Sequence, residues 1–181
     1  MDREELLQRY MAGDRDFSAA DLREAVLEGV DLSGAILTGA SLDGVNLRRA
    51  NLNRADLSGA DLNGADLTQA DLTGANLRDA VLDGAVLEGA ILEGANLSQA
   101  DLKVANLVQA SLGDAELHQA DLTGANLESA DLSGADLAIA DLQSANLTDA
   151  ALETTNLSGA RLENADLKGT ILEGGDSNLA T

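Results

Sequence analysis

The chain has no cysteine, no proline and no tryptophan, and one phenylalanine and one tyrosine among 181 residues. Without cysteine there is no disulfide framework and no thiolate metal centre. Without aromatics, any core must be assembled from aliphatic side chains. His118 is the single histidine and stands at a corner just after Leu117, so no His cluster can ligate a metal, and serines such as Ser41 and Ser111 are expected to lack the imidazole partner that nucleophilic chemistry needs. Basic residues are also scarce: 11 Lys and Arg stand against 32 Asp and Glu, for a net charge of −21. A chain of that charge repels phosphate, which argues against direct nucleic-acid binding and against anionic membrane surfaces. No apolar run approaches the roughly 18 residues of a membrane span. Residues 1–13 are charged and lack the apolar segment of a signal peptide. The expectation is a soluble, cytoplasmic protein without cofactor or metal.

What is present is a repeat. From Leu22 to Leu172 every fifth residue is leucine, 31 times without a gap. Two residues before each leucine sits a small side chain, 27 times alanine, with Val30, Val45, Thr155 and Thr170 as the exceptions. A helix places apolar residues at 3.6-residue spacing, so a five-residue step scatters the leucines around its surface. An unbroken strand alternates faces, and five is odd, so successive leucines would point to opposite sides. A chain that turns a corner once per repeat satisfies the spacing. Each unit is then a short extended side followed by a corner, and four corners close one coil of about twenty residues.

Within a unit the leucine and the small residue two before it share the inner face. The residue between them points out, and it is Asp 12 times and Asn 8 times. The two residues after the leucine make the corner. The second is glycine in 15 of the 31 units, which suits a type II turn, whose third residue has φ > 0. The other units carry larger residues there, such as Gln69, and are expected to use another turn type.

Units such as Ala55-Asp56-Leu57-Ser58-Gly59 and Ala75-Asn76-Leu77-Arg78-Asp79 carry the A-(D/N)-L-x-x signature. In this the chain resembles the pentapeptide repeat proteins, of the type common in cyanobacteria. The resemblance implies an all-β solenoid: a right-handed quadrilateral β-helix. Handedness comes from the resemblance and not from the spacing. About eight four-sided coils are expected over residues 15–174, at strand spacing a rod about 38 Å long. Residues twenty apart then stack, so Leu22, Leu42 and Leu62, and further along Leu87, Leu107, Leu127, Leu147 and Leu167, are expected in the core.

Residues 1–14 read as a short capping α-helix. Asp2 is the expected N-cap, with Glu5 three residues on, and Gly13 the stop. Leu6, Leu7, Tyr10 and Met11 share a face expected to lid the first coil, with Phe17 as a bulky plug at the first centre position. Solenoid ends need such caps. Residues 175–181 form a short tail, in which Leu179 is a candidate minimal plug at the other end.

Two features are candidate partner surfaces. Asp101, Asp121 and Asp141 are twenty apart and stack on one face. They either hydrogen-bond their own corners or present carboxylates outward, although no Ca²⁺-loop motif accompanies them. Val81, Val86 and Ile91 replace Asp or Asn in three consecutive units and form a belt. They are either tolerated surface residues or a contact at mid-rod. Arg48, Arg49 and Arg54 form the basic cluster, positioned to offset Asp56 and Asp61.

Two functions follow. The first is a non-catalytic scaffold that presents a rigid acidic rod to an unknown protein partner, as a monomer or a weak end-to-end homodimer. The second comes from the resemblance: some family members mimic DNA, bind DNA gyrase and protect it from quinolones. Charge and rod shape favour the second. A single phenylalanine centre, Phe17, and a repeat without projecting loops disfavour it.

Overall fold

The computed structural model describes residues 1–174. α1 spans Arg3–Met11. Asp2 caps it, its carboxylate accepting the Glu5 N–H at 2.8 Å. The chain then enters a β-helix in which each outward residue from Asp16 to Asn146 pairs in parallel with the outward residue twenty positions on. The pairs run from Asp16 with Ile36 to Asn146 with Asp166. Each side of a coil is thus a one-residue bridge, and the four sides stack into four parallel ladders.

The inner face is packed from end to end with Leu and Ala. Leu22, Leu42, Leu62, Leu87, Leu107, Leu127 and Leu147 are all buried. Leu167 differs from the expectation: it is half-buried, as are Leu157, Leu162 and Leu172. These four belong to the last coil, which has no further coil above it among the described residues to cover its rim. The last unit also leaves the ladder, since no bridge joins Ala151 to Ile171. Thr170 stands where an alanine would, and its Oγ1 donates to the Leu167 carbonyl at 2.7 Å. The Glu173 N–H then closes a turn onto the Thr170 carbonyl at 3.1 Å. The eighth coil is therefore incomplete on its final side. Leu179, named above as a plug, lies outside the described residues.

The corners correct the sequence expectation. All glycines at the second corner position have φ > 0, from Gly29 at 65° to Gly174 at 75°, and so do the non-glycine residues there, including Gln69 at 57° and Asp79 at 57°. The closing bond, such as Ala80 N–H to the Leu77 carbonyl at 3.1 Å, is the same throughout. One turn type therefore serves every corner, and Gln69 is as left-handed as Gly89 (62°). The ladder decides the conformation: the second corner N–H must reach the next coil, as Gln69 N–H does to the Glu88 carbonyl at 2.9 Å. Residue preference yields to that bond. At Gly134 an added Cβ would meet the Asp114 carboxylate one coil below, so a side chain there would need that carboxylate to swing aside.

α1 closes the first coil only in part as expected from its sequence. Leu6 is buried, as is Phe17 below it. Leu7 and Tyr10 are half-buried against the core. Met11 is not part of the lid and is 85% exposed. Leu6 and Tyr10 lie one turn apart and define the face that meets the coil, which carries Met11 away from it.

Candidate interaction surface

The rod is straight-sided, so any partner meets three kinds of position: the outward row, the first corner residue and the second. Asp and Asn dominate the outward row for a local reason. Their side-chain oxygen accepts the N–H two residues on, at the corner that follows. Thr123 N–H donates to Asp121 Oδ1 at 3.0 Å and the Thr123 hydroxyl adds a second bond at 2.6 Å. Lys103 N–H donates to Asp101 at 3.2 Å, and Gln143 N–H to Asp141 at 3.1 Å.

Asp101, Asp121 and Asp141 do stack, each bridged to the next. They do not form a bare acidic column. Lys103 Nζ sits between the first two, 2.8 Å from Asp101 and 3.1 Å from Asp121. Arg161 Nη1 lies 2.7 Å from Asp141. The column is thus held by its own corners and partly offset by two cations, Lys103 shared between two of its carboxylates and Arg161 on the third. Partial burial opposes ionisation of Asp121, but the Thr123 hydroxyl and N–H, with Lys103, outweigh it and hold the carboxyl below its ordinary value of 3.8. Lys103, bonded to both carboxylates, is correspondingly raised above its usual value of 10.5.

The arginines near the N-terminal end pair otherwise than their spacing suggests. Arg48 bonds Asp66 at 3.0 Å, and Arg49 lies 3.8 Å from Glu28. Asp56 instead accepts from Ser58 N–H at 3.0 Å and from the Asn76 side-chain amide at 3.0 Å.

Val81, Val86 and Ile91 occupy the outward row of three successive sides, stacked on Asp61, Asp66 and Asp71. Val81 is 37% and Ile91 40% exposed, and Val86 is half-buried. None can accept from its corner. The structure adds apolar positions that the sequence reading passed over: Val26, Ile36 and Ile171 in the outward row, and Val104 and Ile139 at second corner positions. The first three depart from Asp/Asn as plainly as Val81 does. Val104 and Ile139 are different, since both are β-branched, 63% and 56% exposed, and left-handed with φ of 47° and 61°. That conformation is costly for such side chains.

Among the described residues no group of three or more His, Cys, Asp or Glu could hold a metal. No helix among them is long and apolar enough to cross a membrane. His118 is half-buried at a corner. A shallow groove of about 450 Å³ runs past Glu93, Gly113, Asp114, Ser133 and Thr154 on one edge.

The model of the pentapeptide repeats matches the chain in eight copies, over residues 16–54, 37–69, 50–89, 70–107, 100–137 and 140–174. The chain belongs to the pentapeptide repeat family. Its coil is the right-handed quadrilateral β-helix of that family. Among solved structures it is similar to HetL of the cyanobacterium Nostoc sp. strain PCC 7120, a pentapeptide repeat protein involved in heterocyst differentiation regulation. Identity there is 36% over 96% of each chain, with a TM-score of 0.42. It is similar to Rfr23 of the cyanobacterium Cyanothece 51142 at 27% identity, over 93% of this chain and 97% of that one, with a TM-score of 0.32. Trypsin-treated QnrB1, a plasmid-mediated fluoroquinolone resistance protein, matches at 25% identity over 84% and 85% of the two chains, with a TM-score of 0.43. No curated protein matches.

Proposed function

We propose that the chain is a non-catalytic scaffold whose rigid acidic rod docks a protein partner. The observation that carries this is the unbroken register from Asp16 to Asp166. Every inner position is filled by the core, and no insertion raises a loop on which a reactive site could be built. Among the described residues no buried side-chain polar atom lacks a partner. What remains is the outer surface, and its net charge of −21 selects partners with basic faces. We place it in the cytoplasm as a monomer or a weak dimer through the half-buried leucines of the last coil.

The test is capture on immobilised full-length protein at low salt, followed by rebinding of each purified candidate across a salt series. Binding that weakens with salt to a basic surface supports the reading; retention only of proteins indifferent to salt overturns it. A gyrase supercoiling assay with the purified chain separates the DNA-mimic alternative: inhibition at stoichiometric protein would replace the general scaffold with that specific one.

A further inference from the structure

Three backbone groups on each side join a coil to the one before it. The outward residue donates its N–H and accepts at its carbonyl, and the first corner residue accepts at its carbonyl. Asn46 shows the pattern: its N–H goes to the Ala25 carbonyl at 2.9 Å, and its own carbonyl takes the Leu27 N–H at 2.7 Å. On the same side the Arg48 carbonyl takes the Gly29 N–H at 2.8 Å.

Among the described residues no coil precedes the first. The N-terminal segment supplies substitute donors on three of its four sides. Arg9 Nη2 donates to the Asp16 carbonyl at 3.1 Å, the Met1 ammonium to the Asp21 carbonyl at 2.8 Å, and the Tyr10 hydroxyl to the Ser33 carbonyl at 2.8 Å. The fourth side, through Val26, receives nothing. Among the described residues the Val26 N–H, the Val26 carbonyl and the Glu28 carbonyl are all without a partner. The Val26 side chain is 60% exposed above them.

We propose that this side is an open edge that takes an extended basic segment of a partner protein, which pairs with Val26 as a preceding coil would. The backbone chooses the shape. Two acceptors and a donor at strand spacing match an extended chain and not a helix, whose own groups are already used. Val26 supplies an apolar contact for one side chain of the added strand. Charge chooses the composition. Glu24 and Glu28 flank Val26; Glu28 holds a long pair with Arg49 at 3.8 Å, and Arg23 is taken by Asp21 at 2.7 Å, so Glu24 faces the edge without an ion pair among the described residues. The same acids work against a second copy of this chain, whose net charge is also −21. This edge is separate from the rod's sides, so it can fail while the scaffold reading stands.

The probe is a short fluorescein-labelled peptide of alternating valine and lysine, titrated with the full chain and read by anisotropy. Saturable binding is expected. Methylating alternate backbone nitrogens of the peptide keeps its charge and side chains but removes its pairing edge, and should weaken binding about tenfold or more. Val26→Pro removes the donor at a position where the N–H points away from the rod, and should cost a similar factor. Glu163→Gln at the far end should change nothing. Equal binding of the methylated peptide, equal binding to the proline variant, or no binding at all would overturn the proposal. The methylated peptide decides the matter on unaltered protein if the proline variant folds poorly.

Discussion

The two ends of the rod solve the same problem differently. At the N-terminal end a helix lies across the first coil and buries Leu6 over Phe17, and the N-terminal segment lends donors to three backbone carbonyls. At the other end the repeat continues until Thr170, whose hydroxyl turns the chain back on the Leu167 carbonyl. There Leu157, Leu162 and Leu167 remain half-buried among the described residues. Identical pentapeptides are therefore worth different amounts according to whether a coil lies on both sides. In a solenoid the stabilising quantity is the interface between coils rather than the unit itself.

The largest effect should follow removal of the helix. Deleting residues 2–13 uncovers Phe17 and the whole first-coil edge, and light scattering should report aggregation. Equal solubility of the truncated form would remove the capping role. Next, Leu87→Ala should destabilise by about 2–5 kcal/mol in urea unfolding, whereas Leu167→Ala should cost less than about 2 kcal/mol, because its site is already open to solvent. Equal losses would mean that the last coil is packed as tightly as the middle of the rod. Tyr10→Phe keeps the packing and drops the bond to the Ser33 carbonyl, for about 0.5–1.5 kcal/mol. In the opposite direction, Val104→Gly or Ile139→Gly should stabilise by roughly 0.5–1 kcal/mol, since the left-handed corner no longer strains a β-branched side chain.

The subtlest test is acid. Near the N-terminal end several carboxyls are held below 3.8. Asp14 is lowered by Arg9, Asp16 and Asp31 by their Ser18 and Ser33 corners, and Asp21, paired with Arg23, is lowered to about 2. Lowered carboxyls contribute stability that is complete above the ordinary carboxylate range and is lost as pH falls through it. The unfolding midpoint should be flat near neutrality and decline below about pH 4. These groups are exposed, so the slope should be shallow. A midpoint that rose on acidification would contradict the assigned pairs.

Most of the core was legible because the leucine register runs without a gap, and a register of that length leaves the chain one way to bury its leucines. One pairing of charge follows from counting coils, although those of Arg48 and Arg49 do not. Lys103 stands two residues after Asp101 and eighteen before Asp121, so it had to fall between them. Other features were hidden because a stronger local force overrode the residue's own preference. Gln69, Val104 and Ile139 are poor left-handed residues, yet the inter-coil bond places them there. Met11 matched the helical spacing of Leu7, but Leu6 and Tyr10 set the contact face. The departure at Thr170 needed the hydroxyl bond to be seen. The unpaired backbone at Val26 was not legible, because it depends on which first-coil carbonyls the N-terminal segment reaches.

The gapless register has one more consequence, for how such a chain can change length. Because every unit offers the same inner pair, losing one pentapeptide would leave the core intact but turn all that follows by a quarter revolution. Without residues 96–100, Asp101 would stand over Asn76 instead of Val81, and every later row would move to the neighbouring wall. The pairs Lys103–Asp121 and Arg161–Asp141 would travel together unharmed. The outer pattern can therefore be rotated like a combination lock without touching the mechanism inside, and only changes of a whole coil leave each wall facing as before.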